Sequence, residues 1–216
     1  MNNKLAVTIW NYKGGVGKST IALILAEIAA QNGLNVLALD LDQQKNFSAT
    51  LKLTGFLFPT IDIRNSLTPD CADEDYSLYI LDTHPTMDDT VKAALQFADI
   101  VLVPVLPDFN SINNLRSSFN FITSCGVGQN QIAIIKNSMN KYKISAEVER
   151  ALSIQGFKSA GRLPHSNILV RNIASGNSWD KFMRPDMREP FTSLYSNIWD
   201  AFRNMLNGNF YNLWRD

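Results

Sequence analysis

The sequence predicts an α/β fold in which a doubly wound, mostly parallel β-sheet is flanked by helices. Short apolar runs rich in β-branched residues alternate with segments of helical periodicity, and a glycine-rich segment lies between the first such run and the first helix. Strands that are apolar on both faces are typical of parallel sheets covered by helices on both sides. Right-handed crossover connections then make the sheet doubly wound.

The first strand–helix–strand unit occupies residues 5–41. Residues 5–10 (LAVTIW) form an apolar run that favours a strand, residues 19–32 have the apolar periodicity of a helix, and residues 35–41 form a second apolar run. Asn32 and Gly33 are typical of a helix end. We therefore expect two parallel strands joined by a helix.

The same alternation continues along the chain, and no segment has the composition of a linker or a low-complexity tract. We expect one domain over residues 1–216. Further strands are predicted at 78–81, 100–105, 131–136 and, as a short strand, 158–163. Further helices are predicted at about 88–98, 111–124, 144–155, 166–174 and 187–206.

The composition argues against membrane, secreted and metal-stabilised proteins. The longest apolar stretches, 21–30 and 100–106, are interrupted by Glu27 or are far shorter than the roughly 20 residues of a membrane-spanning helix, and the N-terminus lacks the features of a signal peptide. Cys71 and Cys125 lack metal-ligand spacing, so we expect buried free thiols. We therefore expect a soluble cytoplasmic protein.

The net charge of zero hides a division between the two halves of the chain. Residues 1–110 contain 7 Lys and Arg against 13 Asp and Glu, whereas residues 111–216 contain 13 against 7. The first half therefore has a net charge of −6 and the second a net charge of +6. Such asymmetry is typical of a protein whose second half faces a polyanion, although an ordinary solvated surface also produces it.

Residues 11–20 (NYKGGVGKST) predict a site for nucleotide phosphates. Phosphate is best held by backbone N–H groups at a helix N-terminus, and the three glycines lack the Cβ atoms that would keep this backbone away. Lys18 is placed to reach the β- and γ-phosphates, and the Ser19 hydroxyl is placed to ligate Mg²⁺. The predicted contacts of this loop with ATP or ADP are Gly14, Gly15, Val16, Gly17, Lys18, Ser19 and Thr20.

The chain resembles the deviant-Walker ATPases of the ParA/MinD group, which are P-loop NTPases of the SIMIBI type. Tyr12 occupies the first glycine position of the strict pattern G-x-x-x-x-G-K-[ST], and Lys13 precedes the remaining glycines as it does in that family. The resemblance implies that Lys13 reaches the partner's ATP across an ATP-dependent homodimer. A second cation there would offset charge that develops during phosphoryl transfer.

Two acidic motifs extend the resemblance. The segment 36–44 (VLALDLDQQ) is similar to the family's D-x-D-P-Q motif, with Gln43 in place of proline. The resemblance implies that Asp42 orients the attacking water and that Asp40 lies near the outer shell of Mg²⁺. The segment 78–85 (LYILDTHP) is similar to the Walker B strand, and it implies that Asp82 holds Mg²⁺ or its water. His84, in place of a family proline, is expected to have no proton-transfer role.

Later segments also resemble the family, with less specific motifs. The segment 101–107 (VLVPVLP) is similar to the next strand and loop, and the segments 162–164 and 172–176 are similar to the region that surrounds the adenine. The resemblance implies that Pro164 packs against the adenine. We assign no catalytic role to His165.

The family resemblance leaves three functions open. The first is a small ParA-like partition or positioning ATPase, associated with the nucleoid through nonspecific DNA binding and stimulated by a ParB-like or other adaptor partner. Only about ten residues precede the loop, so we expect sequence-specific DNA recognition to be left to that partner. The basic residues considered for DNA binding are Arg116, Lys136, Lys141, Lys143, Arg150, Lys158, Arg162, Arg171, Lys181, Arg184 and Arg188.

The second function is that of a MinD-like, membrane-associated regulator of division-site placement, and the third is a metabolic P-loop enzyme. Residues 193–206 have a helical apolar stripe but a nearly neutral polar face, which favours packing on the core over membrane binding. The aromatic segment 210–214 is expected to dock on the body, the dimer mate or a partner. We favour the first function over the other two.

Overall fold

A computed structural model describes residues 4–55, 57–209 and 213–214, without the side chains of 72 and 73. Its centre is a seven-stranded parallel sheet in the order β3-β2-β4-β1-β5-β6-β7. The strands are β1 (Leu5–Ile9), β2 (Val36–Asp40), β3 (Ile61–Arg64), β4 (Leu78–Asp82), β5 (Ile100–Val105), β6 (Ile132–Met139) and β7 (Ser159–Pro164). The predicted α/β fold class is confirmed.

Helices cover both faces of this sheet. They are α1 (Lys18–Gln31), α2 (Asn46–Thr54), α3 (Asp89–Phe97), α4 (Phe109–Asn113), α5 (Leu115–Ser124), α6 (Lys143–Ile154), α7 (Asn167–Ala174) and α8 (Pro185–Leu206). The chain places β2 to β4 on one side of β1 and β5 to β7 on the other. The winding direction therefore changes at β1, and ligands bind at the carboxyl ends of the strands near such a point.

The sequence prediction missed α2 and β3 and misplaced some boundaries. The edge strand β3 has the sequence IDIR, which alternates apolar and polar residues and is only partly buried, so it lacks the continuous apolar pattern of the other strands. The helix predicted at 111–124 is divided at Asn114, which lies between the end of α4 and the start of α5. Asparagine has a low helix propensity, which is consistent with this break.

The first helix lies in the interior of the protein. Every residue of α1 from Ile21 to Ala29 is buried, and α1 contacts β4, α2 and α8. Its apolar residues belong to the largest hydrophobic cluster of the described part of the chain, which also contains residues of β1, β2 and α8. The helix that begins at the glycine-rich segment is therefore fixed in place by packing along most of its length.

The C-terminal helix packs on the core, as its apolar stripe predicts. Leu194, Ile198 and Phe202 are buried, and α8 contacts β7 and α1. Trp214 is also buried and its Nε1 donates a hydrogen bond to the carbonyl of Asn130 at 3.0 Å, so this end of the aromatic tail docks on the body. The rest of that predicted segment, 210–212, lies outside the described residues. None of the described helices is both long and apolar enough to cross a bilayer.

Cys71 and Cys125 are both buried and free, as predicted. Burial raises the pKa of the Cys125 thiol. Cys125 therefore serves as a small apolar group of the interior.

A buried carboxylate joins α1 to two other segments. Glu27 is 0% exposed and accepts hydrogen bonds from the Thr54 hydroxyl of α2 at 2.9 Å and from the backbone N–H of Trp179 at 2.8 Å. Burial raises the pKa of Glu27 from 4.5 to about 7; these two hydrogen bonds oppose the shift and the nearby Asp180 adds to it. The charged form of Glu27 is therefore disfavoured in the folded protein.

We expect Glu27→Gln to flatten the pH dependence of stability. Below pH 4.5 the Glu27 carboxyl is protonated in both the folded and the unfolded protein. Between pH 4.5 and about 7 only the unfolded protein loses this proton. The free energy of unfolding therefore falls by about 3 kcal/mol over this range. An amide can still accept from Trp179 and donate to Thr54, so the variant should lose this decline. Urea unfolding at pH 5 and pH 8 measures the difference.

Glu189→Gln, on the exposed surface of α8, is the matched control and should retain the decline. The explanation is wrong if Glu27→Gln shows the same loss of stability between pH 5 and pH 8 as the unchanged protein.

Candidate nucleotide-binding site

The glycine-rich segment forms an open loop between β1 and α1. Gly15 and Gly17 have φ values of +72° and +94°, which residues with a Cβ rarely adopt. Gly17 is also the residue that precedes the first turn of α1, and that turn contains no acidic side chain. The backbone N–H groups and the positive end of the helix dipole are therefore available to an anion, as predicted for phosphate.

Asn137 supports this loop from β6, and the sequence analysis missed it. Its Nδ2 donates to the carbonyl of Val16 at 2.8 Å, and a Cβ on Gly17 would lie only 2.4 Å from the same nitrogen. The absence of a side chain at Gly17 therefore allows β6 to contact the loop. A polar residue towards the end of an apolar strand is the only sequence signal for Asn137, and no motif assigns its function.

A cavity of about 350 Å³ lies beside the loop. It brings together most of the predicted loop residues and one of the predicted carboxylates. Its lining consists of Gly14, Gly15, Gly17, Lys18, Ser19, Thr20, Asp42, Gln44 and Pro85. The predicted contacts Lys13, Val16 and Pro164 are absent from this lining.

Lys18 is buried near two carboxylates, that of Asp82 at the end of β4 and that of Asp42 in the loop after β2. Only 7% of the residue is exposed. Burial lowers the pKa of Lys18, while Asp82 and Asp42 act in the opposite direction by stabilising the ammonium. The side chain thus places a cation between the glycine-rich loop and these acidic residues.

Asp40 organises the loop that follows β2. Its Oδ1 accepts from the backbone N–H of Asp42 at 3.2 Å, and its Oδ2 accepts from the backbone N–H of Ser48 in α2 at 2.8 Å. Lys45, which has a left-handed backbone with φ of 54°, donates from Nζ to the carbonyl of Asp40 at 2.7 Å. Asp40 therefore positions Asp42 in this structure, and its place near the outer shell of Mg²⁺ stays a prediction.

Asp82 is a buried carboxylate at the end of β4. It lies beside Asp40 in the register of β2 and β4 and is 0% exposed, and neither of its oxygens has a hydrogen bond within the described part of the chain. Burial raises the pKa of Asp82 to about 7; the neighbouring Asp40 adds to the shift, and Ser19 and Lys18 oppose it. Such a group is costly unless a ligand satisfies it.

The donor set around Asp82 fits Mg²⁺ that is shared with a nucleotide. Mg²⁺ prefers oxygen ligands and keeps several waters, so one carboxylate, the Ser19 hydroxyl and phosphate oxygens form a suitable set. Within the described residues no group of three His, Cys, Asp or Glu side chains could hold a metal by itself. The protein oxygens therefore suit a metal that arrives with a nucleotide.

Lys13 is directed to another residue of its own chain. Its Nζ donates to both carboxylate oxygens of Asp108 at 2.8 Å and to the Ser111 hydroxyl at 3.1 Å. Partial burial would raise the pKa of Asp108, but Lys13 and Ser111 outweigh it and lower that pKa. In the single chain the ammonium is thus held at the start of α4, outside the phosphate cavity.

Residues 7–179 match the CobQ/CobB/MinD/ParA nucleotide-binding domain. The chain belongs to this ParA/MinD family. The chromosome-partitioning ATPase Soj of Thermus thermophilus is 27% identical over 158 residues, which cover 57% of this chain and 64% of Soj. The chain therefore matches less than two thirds of that relative's length.

Solved structures with the same fold include nucleotide complexes. A Borrelia burgdorferi B31 protein described as a plasmid partition protein, bound to AMPPNP, has a TM-score of 0.73 at 20% identity and covers 89% of this chain and 97% of its own. MinD of Pyrococcus horikoshii, complexed with Mg-ADP, has a TM-score of 0.75 at 15% identity and covers 96% and 99%. At these identities the similarity shows the ParA/MinD fold.

Two remaining positions of the ParA/MinD resemblance lie near the site. His84 contacts the carbonyl of Leu41 through Nδ1 and the carboxylate of Asp88 through Nε2, so both ring nitrogens are engaged. The expectation that His84 has no proton-transfer role stays a prediction. Pro164 ends β7 beside Met139 of β6. It therefore lies at the carboxyl ends of the parallel strands, as the glycine-rich loop does. Its contact with adenine stays a prediction.

Proposed function

We propose that the protein is an ATP-dependent partition or positioning ATPase. Mg-ATP binding closes a homodimer, the dimer binds DNA without sequence preference on the nucleoid, and a ParB-like or other adaptor partner stimulates hydrolysis to ADP and phosphate. The observation that supports this best is the juxtaposition of an open helix N-terminus, the buried side chain of Lys18 and the buried carboxylate of Asp82, which has no hydrogen bond among the described residues. Phosphates and Mg²⁺ complement these three features.

The residues of the site would have different roles in phosphoryl transfer. Backbone N–H groups of the loop and Lys18 would bind the phosphates, and Ser19 and Asp82 would hold Mg²⁺, which neutralises charge on the transferred group. Asp42 would orient the attacking water. This chemistry needs mainly positioning and charge stabilisation, which a buried, preorganised site supplies.

The partition role is supported by the relatives and by the charge of the second half. Soj is described as a chromosome-partitioning ATPase, and the Borrelia protein as a plasmid partition protein. A net charge of +6 over residues 111–216 suits a polyanionic partner. The apolar stripe of α8 is occupied by the core, which disfavours the use of this helix as a membrane anchor.

Co-sedimentation tests the partition role against the membrane alternative. With ATP, the protein should sediment with plasmid DNA and leave anionic liposomes unbound. ATP turnover that rises with DNA and the product of a neighbouring gene would support it over a metabolic enzyme. Binding to liposomes alone would contradict the proposal.

We expect Lys13→Ala to weaken ATP-dependent dimerisation about 10- to 100-fold, the value of one charge-assisted hydrogen bond. The ammonium that Asp108 holds in the single chain would be released to the partner's nucleotide when the dimer closes. Light scattering with and without ATP measures the change. Lys92→Ala, on the exposed side of α3, should dimerise normally. A Lys13→Ala dimer as strong as that of the unchanged protein would remove the role in trans.

A further inference from the structure

The positive charge of the second half is concentrated in one structural unit. Residues 132–164 contain six Lys and Arg and two Glu, a net charge of +4. Residues 165–216 contain six basic and five acidic residues, a net charge of only +1. Most of the asymmetry therefore lies in β6, α6 and β7, at one edge of the sheet. The basic residues of this unit are Lys136, Lys141, Lys143, Arg150, Lys158 and Arg162.

Basic side chains in the later part of the chain are often paired with nearby acids. Arg184 lies 2.9 Å from Asp186, and Arg203 lies 3.1 Å from Asp200. These acids are themselves exposed or half-exposed, so they would repel a polyanion that approached the arginines. The distribution of acidic residues therefore favours the β6–α6–β7 unit over the α7–α8 region as a polyanion-binding face.

The turn that leads into α6 is an exposed part of this unit that carries cations. Lys141, Tyr142 and Lys143 are consecutive and exposed, with Tyr142 66% exposed and the Lys143 side chain 91% exposed. Arg150 is also exposed and lies seven residues after Lys143, which is two helical turns along the same side of α6. Together they form a line of cations with one aromatic ring, which we call the α6 face: Lys141, Tyr142, Lys143 and Arg150.

Two glutamates of α6 lie near basic residues of this unit and partly neutralise their charge. Glu147 lies 3.5 Å from Lys143, and Glu149 accepts from Arg162 Nε at 2.7 Å. The pair with Glu147 is long and solvent-exposed, so it holds Lys143 only weakly. The charges that remain most available to a polyanion are therefore those of Lys141, Lys143 and Arg150.

We propose that the α6 face binds the phosphate backbone of duplex DNA. This inference rests on the DNA-binding role proposed above and assigns it to a surface. Lysine and arginine side chains on an exposed helix face contact phosphates without reading bases, which suits binding that does not depend on sequence. Tyr142, between two lysines, adds a hydroxyl that can donate to a phosphate oxygen. In a dimer the face is present twice, so a long duplex could engage both copies.

Fluorescence anisotropy with duplex DNA of two unrelated sequences tests the proposal at several salt concentrations with ATP present. The variant Lys141→Gln, Lys143→Gln, Arg150→Gln removes three cations of the α6 face. It should bind DNA about 10- to 100-fold more weakly at 0.1 M salt, and the slope of log affinity against log salt should fall by about 2 to 3. ATP turnover and the ATP-dependent dimer should be unchanged, because these residues are absent from the lining of the phosphate cavity.

The matched control removes three exposed cations of the α7–α8 region: Arg171→Gln, Lys181→Gln, Arg184→Gln. It should retain most of the affinity and of the salt slope. Equal losses in both triple variants, or no loss in the α6 variant, would overturn the assignment while leaving DNA binding intact. If the unchanged protein with ATP binds no DNA, or binds only anionic vesicles, the DNA-binding role itself fails. Tyr142→Phe should weaken binding several-fold without changing the salt slope.

Discussion

Replacing Lys18 with alanine should lower the affinity for ATP by at least about 100-fold. Lys18 is 7% exposed, and its ammonium lies between the glycine-rich loop and the carboxylates of Asp82 and Asp42. A buried ion pair that loses one partner costs about 3–5 kcal/mol, which is roughly a 100- to 4,000-fold loss of binding. Isothermal titration calorimetry with Mg-ATP measures this change.

Lys18→Ala should lose affinity for ATP and still fold. Without Lys18 the pKa of Asp82 rises further, because Lys18 acts to lower it in the unchanged protein. The carboxyl then takes up a proton more readily, which avoids an isolated buried charge and lets the variant fold. Lys92→Ala is the control for removing a lysine from a helix and should bind ATP normally. An unchanged affinity in Lys18→Ala would mean that the glycine-rich loop does not bind the phosphates.

The sequence predicted the central part of the fold because burial there is nearly complete. β1, β2, β4 and β5 are buried along their whole length, so their apolar runs were unambiguous. The phosphate loop was predicted because its chemistry needs glycines and a lysine at fixed spacing. The structure brings Lys18, Ser19 and Asp42 to one cavity, as expected.

The missed features depend on contacts between distant parts of the chain. Lys13 and Asp108 are 95 residues apart in sequence, and β1 and β5 must be neighbours before the two side chains meet. Asn137 contacts the loop only because β6 lies beside β5 and because Gly17 has no side chain. No local pattern specifies such pairs. The same applies to Glu27, whose partners Thr54 and Trp179 lie 27 and 152 residues away in the sequence.

The three carboxylates of the site have different surroundings, which sequence similarity alone does not reveal. Asp40, Asp42 and Asp82 are implied together by two acidic motifs, but their surroundings differ. Asp40 accepts from two backbone N–H groups, Asp82 is buried without a hydrogen bond in the part of the chain that the structure describes, and Asp42 lines the cavity. Asp40 is therefore suited to hold the loop, Asp82 to receive a metal, and Asp42 to contact a mobile ligand such as water.

Replacing Asp42 with alanine should lower ATP turnover by about 100- to 1,000-fold and leave ATP binding largely intact, because a positioned group that orients the nucleophile contributes in this range. Its Oδ1 accepts from the backbone N–H of Gln44 at 2.9 Å, which fixes the side chain at the cavity. The ATP-bound dimer should accumulate. Phosphate release and light scattering after ATP addition measure both effects.

Asp42→Asn makes the cause clearer, because the amide oxygen can still accept from Gln44 while the charge is lost. If orientation of water requires the carboxylate, this variant should be nearly as slow as Asp42→Ala. Asp89→Ala, in the exposed first turn of α3, should turn over ATP normally. Normal turnover by Asp42→Ala would mean that another group positions the water. Asp40 supports Asp42 through the backbone N–H of Asp42. If Asp42→Ala turns over ATP normally, slow turnover in an Asp40 variant must therefore have a cause other than a displaced Asp42.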